Sequence, residues 1–122
     1  MDGFEKLAER VIERCRSLAL CTIEPGFTTR PFLCEPMHEV YAKLGGWMEQ
    51  AGLQVSVDAA GNLRGCLTGE GPRFYLGSHL DTVPRAGAFD GILGVVMGVA
   101  LIEALDGRRL PFTLDVLSLI HI

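Results

Sequence analysis

Aromatic side chains are few in this chain of 122 residues, at 7 % with a single tryptophan, and basic residues are not in excess. The formal net charge is −4. No basic patch interleaved with aromatics appears, so the composition a nucleic-acid surface requires is absent. Cysteine is scattered: Cys15, Cys21, Cys34 and Cys66 form no C-x-x-C pair, which argues against a zinc finger or a thioredoxin-like motif. They are expected to be buried, reduced thiols of a cytoplasmic protein. No apolar run reaches the roughly 20 residues a membrane span needs, since the longest is bounded by Asp90 and Glu103. The N-terminal stretch holds Glu5, Lys6, Glu9, Arg10, Glu13 and Arg14, too many charges for a signal peptide. Gly91, Gly94 and Gly98 do not have G-x-G-x-x-G spacing, and no internal repeat or low-complexity linker is visible.

What the chain does hold is an apolar share of 48 %, enough for one domain, or a piece of one, with a real core. Residues 4–20 place Phe4, Leu7, Ala8, Val11, Ile12, Cys15, Leu18 and Ala19 at helical spacing with charges opposite, which predicts an amphipathic helix. Residues 22–36, with three prolines and a glycine, predict a loop wrapping that helix onto the next. Within it Thr28-Thr29-Arg30 could contact substrate, but an exposed loop arginine is usually only a surface charge and none of the three is assigned a role; His38 beyond it is expected at the surface. Pro36 suits a helical first turn, and Met37, Val40, Tyr41, Leu44, Trp47, Met48 and Ala51 continue a second stripe that stops at Gly52. Residues 53–58 and 63–68 flank Ala59-Ala60-Gly61-Asn62 and predict a β-hairpin. A strand ending near His79, a helix over 92–105 apolar around most of its circumference, and a strand over 110–116 complete the order. That helix is expected to be buried against the sheet.

The chemistry concentrates in Phe74-Tyr75-Leu76-Gly77-Ser78-His79-Leu80-Asp81-Thr82 and in Phe89-Asp90-Gly91. Ligands of open α/β sheets collect beyond the carboxyl ends of the strands, where His79 and Asp81 would lie. In extended chain, residues i and i+2 share a face, so Leu80 turns into the core while His79 and Asp81 point together. An imidazole ligates a metal through one nitrogen when the other is fixed as a donor, and the Asp81 carboxylate is placed to fix it. Asp90 opens the following helix, where backbone N–H groups and the helix dipole favour an anion that could bridge two cations. Each residue also has a plainer reading. A histidine after a strand is often only hydrogen-bonded, and Asp90 alone reads as a helix N-cap.

Taken together, GSHLDTVPRAGAFDGILGVVMGVALIEAL resembles the metal-binding signature of the dinuclear zinc aminoacylase and carboxypeptidase type hydrolases. VSVDAAGNLRG and the order of FTTRPFL and HEVYAKLGGWMEQAGLQVSVDAAGN are most similar to the amidase/hydantoinase/carbamoylase branch, which includes allantoate amidohydrolase and N-carbamoyl-L-amino-acid hydrolase. The resemblance implies an α/β fold, the N-terminal part of a zinc-peptidase-like catalytic domain with helices packed on a mixed sheet. It implies two divalent ions, zinc or manganese with cobalt possible. His79 would be a ligand of one ion, Asp90 the bridge, and Asp81 the carboxylate behind the imidazole, with a strained, cis-like peptide between Asp90 and Gly91. The implied activity is hydrolysis of a linear amide or ureido C–N bond in a small-molecule substrate, as in purine catabolism, with allantoate ahead of N-carbamoyl amino acids. The implied setting is a cytoplasmic homodimer that engages neither nucleic acid nor membrane. An aminoacylase or dipeptidase of the same fold, and a short metal- or partner-binding protein without catalysis, are the alternatives.

The resemblance further implies a Glu-Glu pair after the strand over 110–116, the first a general base and the second a ligand. The chain reads Leu117-Ser118-Leu119-Ile120-His121-Ile122 there. Those residues can be encoded by CTG TCT CTT ATA CAC ATC, a common transposon-type adapter. Residues 1–116 are therefore expected to be the N-terminal fragment of a catalytic domain and residues 117–122 a non-native read-through tail in which His121 carries no role. On this expectation the intact product is the hydrolase and the 122-residue chain is inactive.

Overall fold

Helix α1 (Gly3–Ala19) starts in a capping box: the Glu5 N–H donates to Asp2 Oδ1 at 2.8 Å and the Asp2 N–H to Glu5 Oε2 at 3.1 Å, which satisfies two N–H groups the helix leaves open. The computed structural model that shows this describes residues 2–119, so the expectation for His121 lies outside the described residues. Helix α2 (Pro36–Gln50) has proline in its first turn and buries Met37, Val40, Leu44 and Met48, the stripe read from the sequence. Strands β1 (Gln54–Val57) and β2 (Leu63–Leu67) pair antiparallel. Asp58 makes their turn, its Oδ1 accepting the N–H groups of Ala60 and Asn62 at 2.9 and 3.0 Å. Tyr41 of α2 donates its hydroxyl to the Gly61 carbonyl at 2.5 Å, locking the hairpin end to the helix.

Strand β3 (Arg73–Ser78), helix α3 (Ile92–Leu105) and strand β4 (Thr113–Ser118) form a parallel crossover, the connection parallel strands require. The sheet order is β1-β2-β4-β3, so the four strands make the expected mixed sheet. Both α2 and α3 cover the same face. Gly65 and Val116 are direct cross-strand partners and so point the same way. Met48 of α2 lies over Gly65, and Gly98 of α3 lies over Val116. Helix α1 is joined to α3 through Glu103, which accepts Arg14 at 2.6 Å and Arg10 at 3.2 Å. The Arg14 guanidinium in turn stacks 4.9 Å from the Trp47 ring centre. On the other face, Asp115 is buried and accepts Arg73 of β3 at 2.6 Å, with Arg64 of β2 at 3.6 Å.

Helix α3 is buried against the sheet as expected, through Ile92, Val95, Val96, Val99 and Ile102; on its outer side Met97 and Leu101 are exposed and, with Phe4 and Ile12 of α1, line an open apolar groove. One expectation needs correction: strand β4 begins at Thr113 and runs past Val116, with Leu117 opposite Gly77 and Arg64, and Ser118 opposite Ser78 and Leu63. Among the described residues no helix is long and apolar enough to cross a membrane.

All four cysteines are free; Cys15 and Cys21 are buried, while Cys34 and Cys66 are half-buried. Burial pushes the Cys15 thiol up to about 11. The unfolded chain therefore loses this proton first, so the associated stability is present below about pH 9 and is lost as pH rises through the folded value. Denaturant unfolding at a series of pH values is expected to show stability falling by up to about 1.4 kcal/mol per pH unit between those limits. Cys15→Ala should flatten the slope, and an equal slope in the variant would refute the assignment.

Candidate metal centre

The end of β3 is where the chain leaves the sheet and turns over the start of α3. Leu80 is fully buried and acts as the plug that seats this corner in the core. Ser78 Oγ donates to the Gly91 carbonyl at 2.8 Å, which staples the strand end to the residue after Asp90. His79 and Asp90 are thus brought together across an eleven-residue separation in sequence.

His79 sits between two aspartates in distinct ways. Its Nδ1 lies 2.8 Å from the main-chain carbonyl oxygen of Asp81 and 3.7 Å from the Asp81 carboxylate. A carbonyl only accepts, so in the neutral imidazole Nδ1 carries the proton and Nε2 keeps its lone pair. That free Nε2 faces Asp90 Oδ1 at 3.7 Å. The imidazole is therefore oriented by the Asp81 backbone rather than by its side chain, a difference from the sequence reading. The cause is local: β3 ends at Ser78, so the strict two-residue alternation stops before Asp81. The side chains of His79, Asp81 and Asp90 are 43 %, 23 % and 55 % exposed, so an ion from solvent can reach them.

Asp90 does not cap α3. The N-cap is Gly91, with φ 77° and ψ −46°, a conformation glycine tolerates and other residues avoid. No peptide among the described residues is cis, so the expected cis-like bond after Asp90 is absent. Gly91 has a second reason to lack a side chain: a Cβ there would overlap the His79 ring.

The residues present fit part of a metal site. An imidazole nitrogen and a carboxylate oxygen are donors that zinc accepts, and bonds of about 2.1 Å each close a 3.7 Å gap around one ion. Among the described residues no group of three or more His, Cys, Asp or Glu gathers in ligand geometry, so His79 and Asp90 are a pair of donors rather than a full set.

Two loops brace this corner, a role the sequence reading did not assign them. Arg30, expected at the surface, is fully buried, and Thr28 and Thr29 beside it are buried too. The Arg85 N–H donates to Thr29 Oγ1 at 2.9 Å. Its side chain binds Glu24 at 2.7 Å and stacks 4.0 Å from the Phe27 ring centre. Arg85 and then Thr29, both hydrogen-bonding Glu24, hold its carboxyl below the usual range. The one available signal was that Arg30 is the only charge in Gly26-Phe27-Thr28-Thr29-Arg30-Pro31-Phe32-Leu33, a composition that favours folding over the cation.

The scaffold has clear counterparts. The crystal structure of a hydantoinase/carbamoylase family amidase from Burkholderia ambifaria superposes with a TM-score of 0.83 at 31 % identity, over 90 % of this chain and 29 % of that one. Allantoate deiminase 1 of Glycine max is 33 % identical over 102 residues, 81 % of this chain and 21 % of the relative. N-carbamoyl-L-amino acid amidohydrolase of Geobacillus stearothermophilus is 39 % identical over 105 residues, 80 % of this chain and 25 % of the relative. The chain is a relative of the hydantoinase/carbamoylase amidases. It matches the N-terminal portion of the hydantoinase/carbamoylase fold, which agrees with the α/β expectation. It spans about a fifth to a quarter of the length of these curated relatives. No protein-family model matches it.

Proposed function

We propose that this segment belongs to a metal-dependent hydrolase of linear amide or ureido C–N bonds, with allantoate ahead of N-carbamoyl amino acids as substrate. The observation that carries the reading is the His79 imidazole, with Nδ1 tied to a carbonyl and Nε2 turned to Asp90 at 3.7 Å, on a hydantoinase/carbamoylase scaffold. His79 would hold one divalent ion and Asp90 would bridge two, zinc or manganese, with cobalt also suited to such donors. The chemistry such ions supply is activation of water and polarisation of the scissile carbonyl. Within this chain, His79 presents a lone pair in a fixed tautomer, Asp81 fixes that tautomer, and Asp90 places negative charge at the mouth of α3. A general base and further ligands complete the reaction, and the proposed activity is that of the protein in which they accompany these residues. The same reading includes a small-molecule substrate, a homodimeric full-length assembly and a cytoplasmic location.

The test is calorimetric titration of Zn2+ and Mn2+ into the protein, its His79→Ala variant and its Asp90→Ala variant. Each substitution is expected to weaken binding by more than the roughly 10–100-fold that loss of an outer partner costs. Ammonia release from allantoate, compared with hydrolysis of an N-carbamoyl-L-amino acid, then ranks the substrates. Ion binding untouched by both substitutions would sink the assignment.

A further inference from the structure

A buried arginine without a carboxylate partner needs explaining, because desolvating a guanidinium is expensive and an apolar side chain of similar volume is often at least as stabilising. Arg30 has no exposed surface. Its Nη1 donates to the carbonyls of Leu18 at 2.8 Å and Cys21 at 2.6 Å, at the C-terminal end of α1, where a cation suits the helix dipole. Its Nη2 has no hydrogen-bond partner among the described residues. Its Nε reaches elsewhere, to the Leu80 carbonyl at 2.9 Å.

That last bond and one more hold both peptide groups flanking Asp81. The Leu80 carbonyl belongs to the peptide before Asp81. The peptide after Asp81 joins its carbonyl to the Thr82 N–H, and that N–H donates to the Arg30 carbonyl at 2.7 Å, while the Arg30 N–H donates to Thr82 Oγ1 at 2.9 Å. A peptide group is planar, so aiming the Thr82 N–H at Arg30 aims the Asp81 carbonyl the opposite way, at His79 Nδ1. Arg30 grips one plane with its side chain and the other with its backbone.

We propose that Arg30 is a positioning residue for the His79 imidazole, its side chain pinning the Leu80–Asp81 peptide so that the next peptide holds Nδ1 and leaves Nε2 free for an ion. The inference rests on the metal-site reading given above, and its first readout requires no metal. In 15N NMR of the metal-free protein, His79 is expected to be the Nδ1–H tautomer. In Arg30→Met it should shift to a mixture with the Nε2–H form, and guanidinium ion added to Arg30→Ala should restore the Nδ1–H form. A role confined to stability would lower the folded fraction without changing the tautomer in molecules that remain folded. Zn2+ titration followed by the His79 ring signals should show affinity reduced about tenfold in Arg30→Met, the scale of an outer-partner loss.

A folded Arg30→Met that keeps the Nδ1–H tautomer and wild-type Zn2+ affinity overturns the proposal. If the variants do not fold, the wild-type protein decides: a through-hydrogen-bond coupling between Arg30 Nε–H and the Leu80 carbonyl carbon is expected, and its absence overturns the proposal. A tautomer that depends on Arg30 in a protein that binds no Zn2+ would instead leave the positioning intact and remove the metal reading.

Discussion

Gly91→Ala is expected to reduce Zn2+ affinity by at least about 100-fold, the upper end of what loss of an orienting partner costs a metal site. Two effects combine. The backbone at Gly91 has φ 77°, and an alanine held in so sparsely populated a region costs roughly 1–3 kcal/mol. In addition, the new Cβ would overlap Nδ1, Cε1 and Nε2 of His79, so the ring must swing away, breaking its bond to the Asp81 carbonyl and turning Nε2 from Asp90. Gly87→Ala separates the contributions, because Gly87 has φ 80° with nothing within 4 Å of its would-be Cβ. It should show a comparable backbone penalty in urea unfolding and unchanged Zn2+ binding. Calorimetry on both variants checks the pair, and a Gly91→Ala protein with wild-type affinity would show that the His79 ring does not depend on this glycine.

Leu80→Ala is expected to destabilise the fold by about 2–5 kcal/mol, the range for deleting a buried leucine side chain and leaving a cavity. Against a total stability of about 5–15 kcal/mol, that is a large fraction. Leu80 is fully buried while its neighbours His79 and Asp81 face the site, so the cavity opens directly beneath the backbone that carries His79. Leu80→Met, which conserves volume, should cost less than about 1.5 kcal/mol. Urea midpoints for the two variants provide the measurement. Equal midpoints for alanine and wild type would mean that this leucine does not anchor the corner.

Most of the fold was legible because its signals are local. The stripe of Met37, Val40, Leu44 and Met48 gave α2, and Ala59-Ala60-Gly61-Asn62 gave the hairpin. The apolar runs on either side of α3 gave β3 and β4, while their parallel pairing is seen only in the structure. The site was legible in its residue types and less so in its bonds. Asp is a better N-cap than Gly by propensity, yet the cap fell on Gly91 because the turn there needs positive φ. The Asp81 carboxylate was the natural partner for His79 while the strand was assumed to continue, and the backbone replaced it once the strand stopped at Ser78. Arg30 was illegible because its decisive partner, Leu80, lies fifty residues away, and no periodicity records so distant a bond.

Strand β3 has no sheet neighbour other than β4 among the described residues, and β4 reaches it only after the whole crossover through α3 has closed. The β1–β2 hairpin closes over a five-residue turn, whereas the strand leading into His79 must wait for a distant partner, and such non-local pairing is the slow part of folding. An ion that recognises the assembled corner and not the unfolded chain would therefore draw its affinity from the folding equilibrium itself, with occupancy and foldedness rising together.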